Sequence, residues 1–300
     1  MKIINGGICA PKGFFASATE ANIKYKNRTD MAMIFSKVPA ISAGTYTTNL
    51  VKAAPVLWDR KITDSEVDVN AIVINSGIAN ACTKDEGMEY CKQSAKKTVS
   101  ELGVEENSIL LASTGVIGMQ LPIEKICTGI ESLSNSLEQS EKAANEAAKA
   151  IMTTDTVSKE VAIEFEISKK TVKMGAMCKG SGMIHPNMCT MLGFITTDVN
   201  ISKELLLKAL RDDVVDTFNM VSVDGDTSTN DSLIILANGL AENEKIVDEN
   251  SEDYKVFKSN LNFVTTTLSK MIAGDGEGAT ALFEVVVKGA KTKEAARTLA

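Results

Sequence analysis

The sequence predicts an α/β fold of mixed sheets flanked by helices, on three observations. Short apolar runs rich in β-branched residues, at 71–74 and 109–112, have the length of buried strands. Longer amphipathic stretches, at 85–102 and 254–271, have helical spacing. The two patterns alternate, but without the strict regularity of a βαβ repeat. With 300 residues, 44% apolar and 24% charged, the chain can bury a sizeable core in one large domain or two medium ones.

Taken in order, residues 1–20 read as an irregular start and 18–26 alternate only weakly. A short strand is expected at 30–35, broken by Pro39 and a run of small polar residues. The strand at 71–74 empties into the loop Asn75-Ser76-Gly77-Ile78-Ala79-Asn80, and the helix 85–102 ends at Gly103. The strand beginning at Ile109 breaks into the turn Ser113-Thr114-Gly115. Helices follow at 122–134 and 138–152, the second alanine-rich and suited to close packing. Residues 160–167 alternate, with Val161, Ile163, Phe165 and Ile167 on one face, and 171–174 is the partner strand. Further strands are expected at 191–195, 220–223, 232–237 and 282–287. Helices are expected at 202–218, behind a Ser202 cap, and from Thr292 to the last residue.

Composition excludes several function classes. A net charge of −7 with no dense basic cluster argues against nucleic-acid and anionic-membrane partners. No stretch approaches the roughly 20 apolar residues of a membrane helix. Ala16-Ser17-Ala18 mimics a signal-peptidase site, but Pro11 and Lys12 interrupt any apolar core before it. Six cysteines without a C-x-x-C pair, and a single histidine, predict no metal site. Free thiols in a reducing cytoplasm are the expectation. Asp224-Gly225-Asp226 suggests a calcium loop, yet position twelve is Ile235 rather than glutamate. Gly274-Asp275-Gly276-Glu277-Gly278 follows a helix and precedes a strand, the reverse of a dinucleotide turn.

The most informative stretch runs from Met177 to Gly193. Its glycines and Pro186-Asn187 lead into an apolar run, with Thr190 at the junction and the small Cys189 before it. Read by itself, it is either a glycine-rich turn entering a strand or a self-cleaving threonine. In the second case the Thr190 hydroxyl attacks the preceding carbonyl, and the freed α-amine then serves as its base. His185, beside Pro186, reads as a structural hydrogen-bonder.

Lys179-Gly180-Ser181-Gly182-Met183-Ile184-His185-Pro186-Asn187-Met188-Cys189-Thr190-Met191-Leu192 resembles the processing signature of the ornithine acetyltransferase (glutamate N-acetyltransferase) family of arginine biosynthesis. Asn75 to Thr83, Met152 to Thr156 and Asp224 to Asp231 are similar to further stretches of that family. Most members have alanine at the position of Cys189. The resemblance implies the self-processing layered fold of the family, and cleavage at Cys189–Thr190. That would give segments 1–189 and 190–300, which stay associated, as α and β chains of an α2β2 assembly.

It further implies Thr190 as nucleophile, Thr114 and Gly115 as the oxyanion hole, and Thr153, Lys179, Thr190 and Glu277 as substrate contacts. The implied substrates are N-acetylornithine and glutamate, with no cofactor. Acetyl-CoA is left open as a co-substrate. Because the family continues beyond the position of Ala300, the resemblance implies a missing C-terminal part. The alternatives are a threonine-nucleophile amidohydrolase or aminopeptidase, and an inactive truncated form.

Overall fold

The computed structural model describes residues 1–105, 107–185 and 191–300. Its nine strands are β1 (Lys2–Ile4), β2 (Phe14–Thr19), β3 (Met31–Tyr46), β4 (Val69–Asn75), β5 (Ile109–Ser113), β6 (Lys159–Ile167), β7 (Lys170–Lys179), β8 (Leu192–Thr197) and β9 (Ser232–Ala237). They follow the order β1-β6-β7-β8-β9-β3-β4-β5, with β2 also on β3. β4–β5 and β8–β9 are parallel, and the remaining pairs antiparallel.

β3 is far longer than the sequence suggests and joins two sheets. Its first part pairs with β2 and β4, and its second part, 41–46, with β9. The register with β4 shifts between Phe35 and Ala40. Pro39 falls in that shift, where its missing N–H costs no ladder bond, so the proline turns the strand instead of ending it.

The helices are α1 (Ala54–Thr63), α2 (Lys84–Leu102), α3 (Ile123–Asn135), α4 (Glu141–Ala150), α5 (Lys203–Val214), α6 (Glu252–Gly274) and α7 (Lys293–Leu299); α2 and α3 cover one outer face, α5 and α6 the other, and α7 buries no residue. Successive residues of a strand serve different cores. On β9, Leu233 and Ile235 pack with α5 and α6, while Ile234 and Leu236 face the other sheet. On β4, Ile72 and Ile74 face inward, while Ala71 and Val73 meet α2 and α3. The result is a helix–sheet–sheet–helix sandwich, and burial on both faces explains why these strands read as unbroken apolar runs. α4 sits at the inter-sheet core with Ala143, Ala144, Ala147, Ala148 and Ala150 buried. Methyl side chains let a helix approach where longer ones would not fit.

Two expected strands are absent. Residues 218–220 form a 3-10 turn and 221–223 run irregularly, with Val223 N–H bound to the Ile184 carbonyl at 2.8 Å. Residues 282–287 join no ladder among the described residues, and Phe283 is 87% exposed. Alternation alone makes no strand without a neighbour to complete the ladder. α1 went unpredicted, although Pro55 in its first turn is a start signal.

Candidate active site

The parallel pair β4–β5 brings two loops side by side at the strands' C-terminal ends. Thr114 N–H donates to the Asn75 carbonyl at 3.0 Å and Val116 N–H to the Gly77 carbonyl at 3.1 Å. Ser113 Oγ accepts the Asn80 N–H at 2.8 Å. Gly115 has φ +127°, and a Cβ there would lie 2.3 Å from the Gly77 carbonyl carbon. Only glycine fits this backbone, for conformation and for space.

The end of β7 delivers Lys179, 2% exposed, whose Nζ lies 3.5 Å from Thr114 Oγ1. Burial pushes the Lys179 ammonium below its usual pKa, and the charges of Asp155 and Asp231 offset this only in part. After Lys179 the glycine-rich stretch is pinned from two sides. Gly180 N–H donates to Asp155 Oδ1 at 2.7 Å, Ser181 Oγ to the Asp275 carbonyl at 2.8 Å, and Glu277 N–H to the Ser181 carbonyl at 2.8 Å. A Cβ on Gly182 would fall 2.3 Å from Glu277 Oε2, so this glycine lets a carboxylate lie against the main chain.

Asp155 also accepts the Thr153 N–H at 3.1 Å and the Lys159 ammonium at 2.7 Å. Lys159, with no exposed side-chain surface, reaches Asp275 at 2.5 Å as well. Burial works against every charge in this cluster. The contacts outweigh it, so Asp155 and Asp275 are held below, and Lys159 above, their ordinary pKa values. Asp231 is completely buried and accepts the Met191 N–H at 2.9 Å through Oδ1. Burial pushes the carboxyl well above the carboxylate range, against the Met191 N–H, the Lys179 charge and the Ser228 side chain.

Thr114, Gly115, Thr153, Lys179 and Glu277, distant in sequence, line one cleft of about 530 Å³. Cys189 and Thr190 lie outside the described residues. Asp224 accepts the N–H groups of Met183 and Ile184, a supporting role for the loop it opens. Unforeseen were Lys24, Tyr25 and Arg28 at the cleft wall. Three basic residues in five, at 24–28, were the available signal. Nothing in the sequence could tie Asp155 and Lys159 to Asp275. Among the described residues the cysteines are free thiols, and no group of metal-ligating side chains forms.

Comparison with known proteins shows the family of the chain. The model of the ArgJ family matches residues 15–300. The arginine biosynthesis bifunctional protein ArgJ 1 of Clostridium acetobutylicum is 51% identical over this whole chain, which spans 73% of that relative. The ArgJ of Lactococcus lactis is 50% identical over the whole chain and is spanned to 74%. Among solved structures, ArgJ of Bacillus halodurans is 36% identical, with a TM-score of 0.59, covering 63% of this chain and 98% of its own. The ornithine acetyltransferase of Mycobacterium tuberculosis, complexed with ornithine, is 33% identical with a TM-score of 0.57, covering 64% and 99%. An aminopeptidase of Ochrobactrum anthropi, a variant of the Ntn hydrolase fold, shares the fold alone: 10% identity, a TM-score of 0.57, and 93% and 90% coverage. No described helix is long and apolar enough to cross a membrane. The chain belongs to the ArgJ family.

Proposed function

We propose that the chain is a cytoplasmic acetyltransferase that moves the acetyl group of N-acetylornithine to glutamate through an acetyl-threonine. The observation that carries this reading is the convergence of Thr114, Gly115, Thr153, Lys179 and Glu277 on one cleft. The relatives' names support the chemistry: biosynthesis of arginine, and acetyl transfer with ornithine bound.

In this reading the chain cleaves at Cys189–Thr190 and the two segments stay together, pairing further as α2β2. A segment ending at Cys189 is the same share of 300 residues that the Bacillus halodurans chain covers almost end to end, 63%. The apolar cores give a reason for the segments to remain associated. Leu192 and Phe194 of β8 and Ile234 of β9 pack with Ile34, Ile72 and Ile74, so separation would bare both sides.

The chemistry is acyl transfer in two steps. The α-amine of Thr190, of ordinary pKa about 7.7–8.0, accepts the hydroxyl proton as Oγ bonds to the acetyl carbon. Negative charge on the former carbonyl oxygen is met by the Gly115 N–H, which engages no backbone carbonyl among the described residues, and by the Thr114 hydroxyl. The carbon–nitrogen bond breaks, and ornithine leaves with the proton. Glutamate's amine then attacks the ester, the carbon–oxygen bond breaks, and the hydroxyl recovers its proton. Lys179 suits the substrate carboxylate, and Glu277 the ornithine ammonium. No cofactor is needed; acetyl-CoA as an alternative donor would use the same ester.

Intact mass under denaturing conditions tests this directly. Two species, of 189 and 111 residues, are expected. A single full-length species that still transfers acetyl would overturn the mechanism. Acetate release without transfer to glutamate would favour a hydrolase.

A further inference from the structure

The two amino acids that the proposed reaction handles carry opposite side-chain charges at nearly the same distance from the reacting nitrogen. A wall of one sign would repel one of them. The cleft carries both signs, on separate loops. Glu277 rests on Gly182, while Lys24 and Arg28 belong to the loop before β3.

That loop is built rather than loose. Asp30 accepts the N–H groups of Ala21 and Ile23, each at 2.7 Å, and its own carbonyl accepts the Ser76 N–H at 2.8 Å. Lys24 packs over Gly77, within van der Waals reach of the Thr114–Gly115 turn's neighbour, and its ammonium lies 4.7 Å from the Tyr25 ring. Arg28 donates from Nη2 to the Met152 carbonyl, one residue before Thr153. This fixes the guanidinium, and among the described residues its remaining donors engage no partner. Neither cation forms an ion pair with a carboxylate among the described residues: the nearby Glu20 is engaged by the Asn27 N–H at 2.8 Å.

We propose that Lys24 and Arg28 are specificity-determining residues that take the side-chain carboxylate of the acceptor, while the donor's ammonium turns to Glu277. The inference rests on the acetyl-transfer reading, which assigns the cleft to both amino acids. Two fixed cations with one aromatic neighbour match a planar carboxylate, to which guanidinium binds through parallel N–H groups.

Binding of L-glutamate and of L-ornithine, each alone, to the full chain tests this by calorimetry without requiring turnover. The double variant Lys24→Gln/Arg28→Gln is expected to weaken glutamate about tenfold or more, with ornithine unchanged or tighter. Lys24→Arg is expected to retain glutamate affinity. Equal weakening of both ligands, or unchanged glutamate binding, overturns the inference. So does a loss confined to acetyl-CoA, which would assign the cations to phosphate. If the double variant fails to fold, the single variant Lys24→Gln, at an exposed position, gives the same contrast. Absence of acetyl exchange between N-acetylornithine and labelled ornithine in the unaltered chain would sink the acetyl-transfer reading alone. An unaltered chain that binds neither amino acid sinks both.

Discussion

The tether around Lys159 and the cleft floor around Lys179 are neighbours with opposite electrostatics. Lys159 opens β6 and Lys179 closes β7, and in the ladder Lys159 stands opposite Cys178. Both side chains are almost wholly buried. Lys159 touches two carboxylates, Asp155 and Asp275, and its ammonium is held above the ordinary lysine value after burial is overcome. Among the described residues Lys179 forms no ion pair and its ammonium meets the Thr114 hydroxyl at 3.5 Å, so burial wins and its pKa falls. A buried cation with its counter-charges already in place is a clamp. One without them is poised for an anionic ligand. The clamp fastens Asp275, at the end of α6, to the start of β6, and through Asp155 to the glycine-rich stretch after β7, which holds the cleft's wall in position.

The largest effect is expected at the clamp. Lys159→Met leaves two carboxylates facing each other without their cation and should cost about 3–5 kcal/mol in denaturant unfolding. A loss below 1 kcal/mol would dissolve the distinction between the two regions. Next comes Gly115→Ala. Its Cβ would overlap Gly77, so the turn must shift. Removing one oxyanion donor typically costs about 10²–10³ in rate, and acetyl transfer should fall by that order with self-association of the chain intact. Lys179→Met is expected to lose at least about tenfold in substrate affinity while unfolding stability changes by no more than about 1 kcal/mol, since no ion pair is broken. Stability falling as far as in Lys159→Met would make Lys179 a second clamp.

The smallest effects are pH dependences, and the two lysines should differ in sign. Asp155 and Asp275 have lowered native pKa values, so their stabilisation is complete above the ordinary aspartate value and is lost as acid titrates through the native ones. Lys159, raised, stabilises at and below the ordinary lysine value and loses this as pH rises through its native pKa. Lys179, lowered, binds fewer protons folded than unfolded, so stability rises with pH between its native value and the ordinary one. Urea midpoints measured across acid and alkaline buffers check this. Lys159→Met should flatten the acid limb, and Lys179→Met should remove the alkaline rise.

Much of this was legible beforehand, for reasons particular residues show. The runs at 71–74, 109–112 and 232–237 announced buried strands because residues of both faces are apolar when two cores are served. Ser140, Ser202 and Ser251 each cap a helix by accepting an N–H three residues on, a local act that local sequence encodes. The cleft residues Thr114, Gly115, Thr153, Lys179 and Glu277 were singled out by resemblance, since a Ser-Thr-Gly turn or a lone lysine is uninformative by itself.

By itself, then, the sequence determined the α/β class and the main helices, with the Ser202 cap among them. These follow from spacing and backbone chemistry within a few residues. Only the tertiary structure decided that β3 runs through Pro39, that 220–223 and 282–287 form no ladder, and that Asp155, Lys159 and Asp275 share one proton balance. A strand needs a partner, and a buried charge needs a counter-charge; here Ile41 pairs with Ala237, 196 positions on, and Lys159 finds Asp275, 116 positions on. The fold supplies the neighbour, and the neighbour decides whether a lysine is clamped or free to bind.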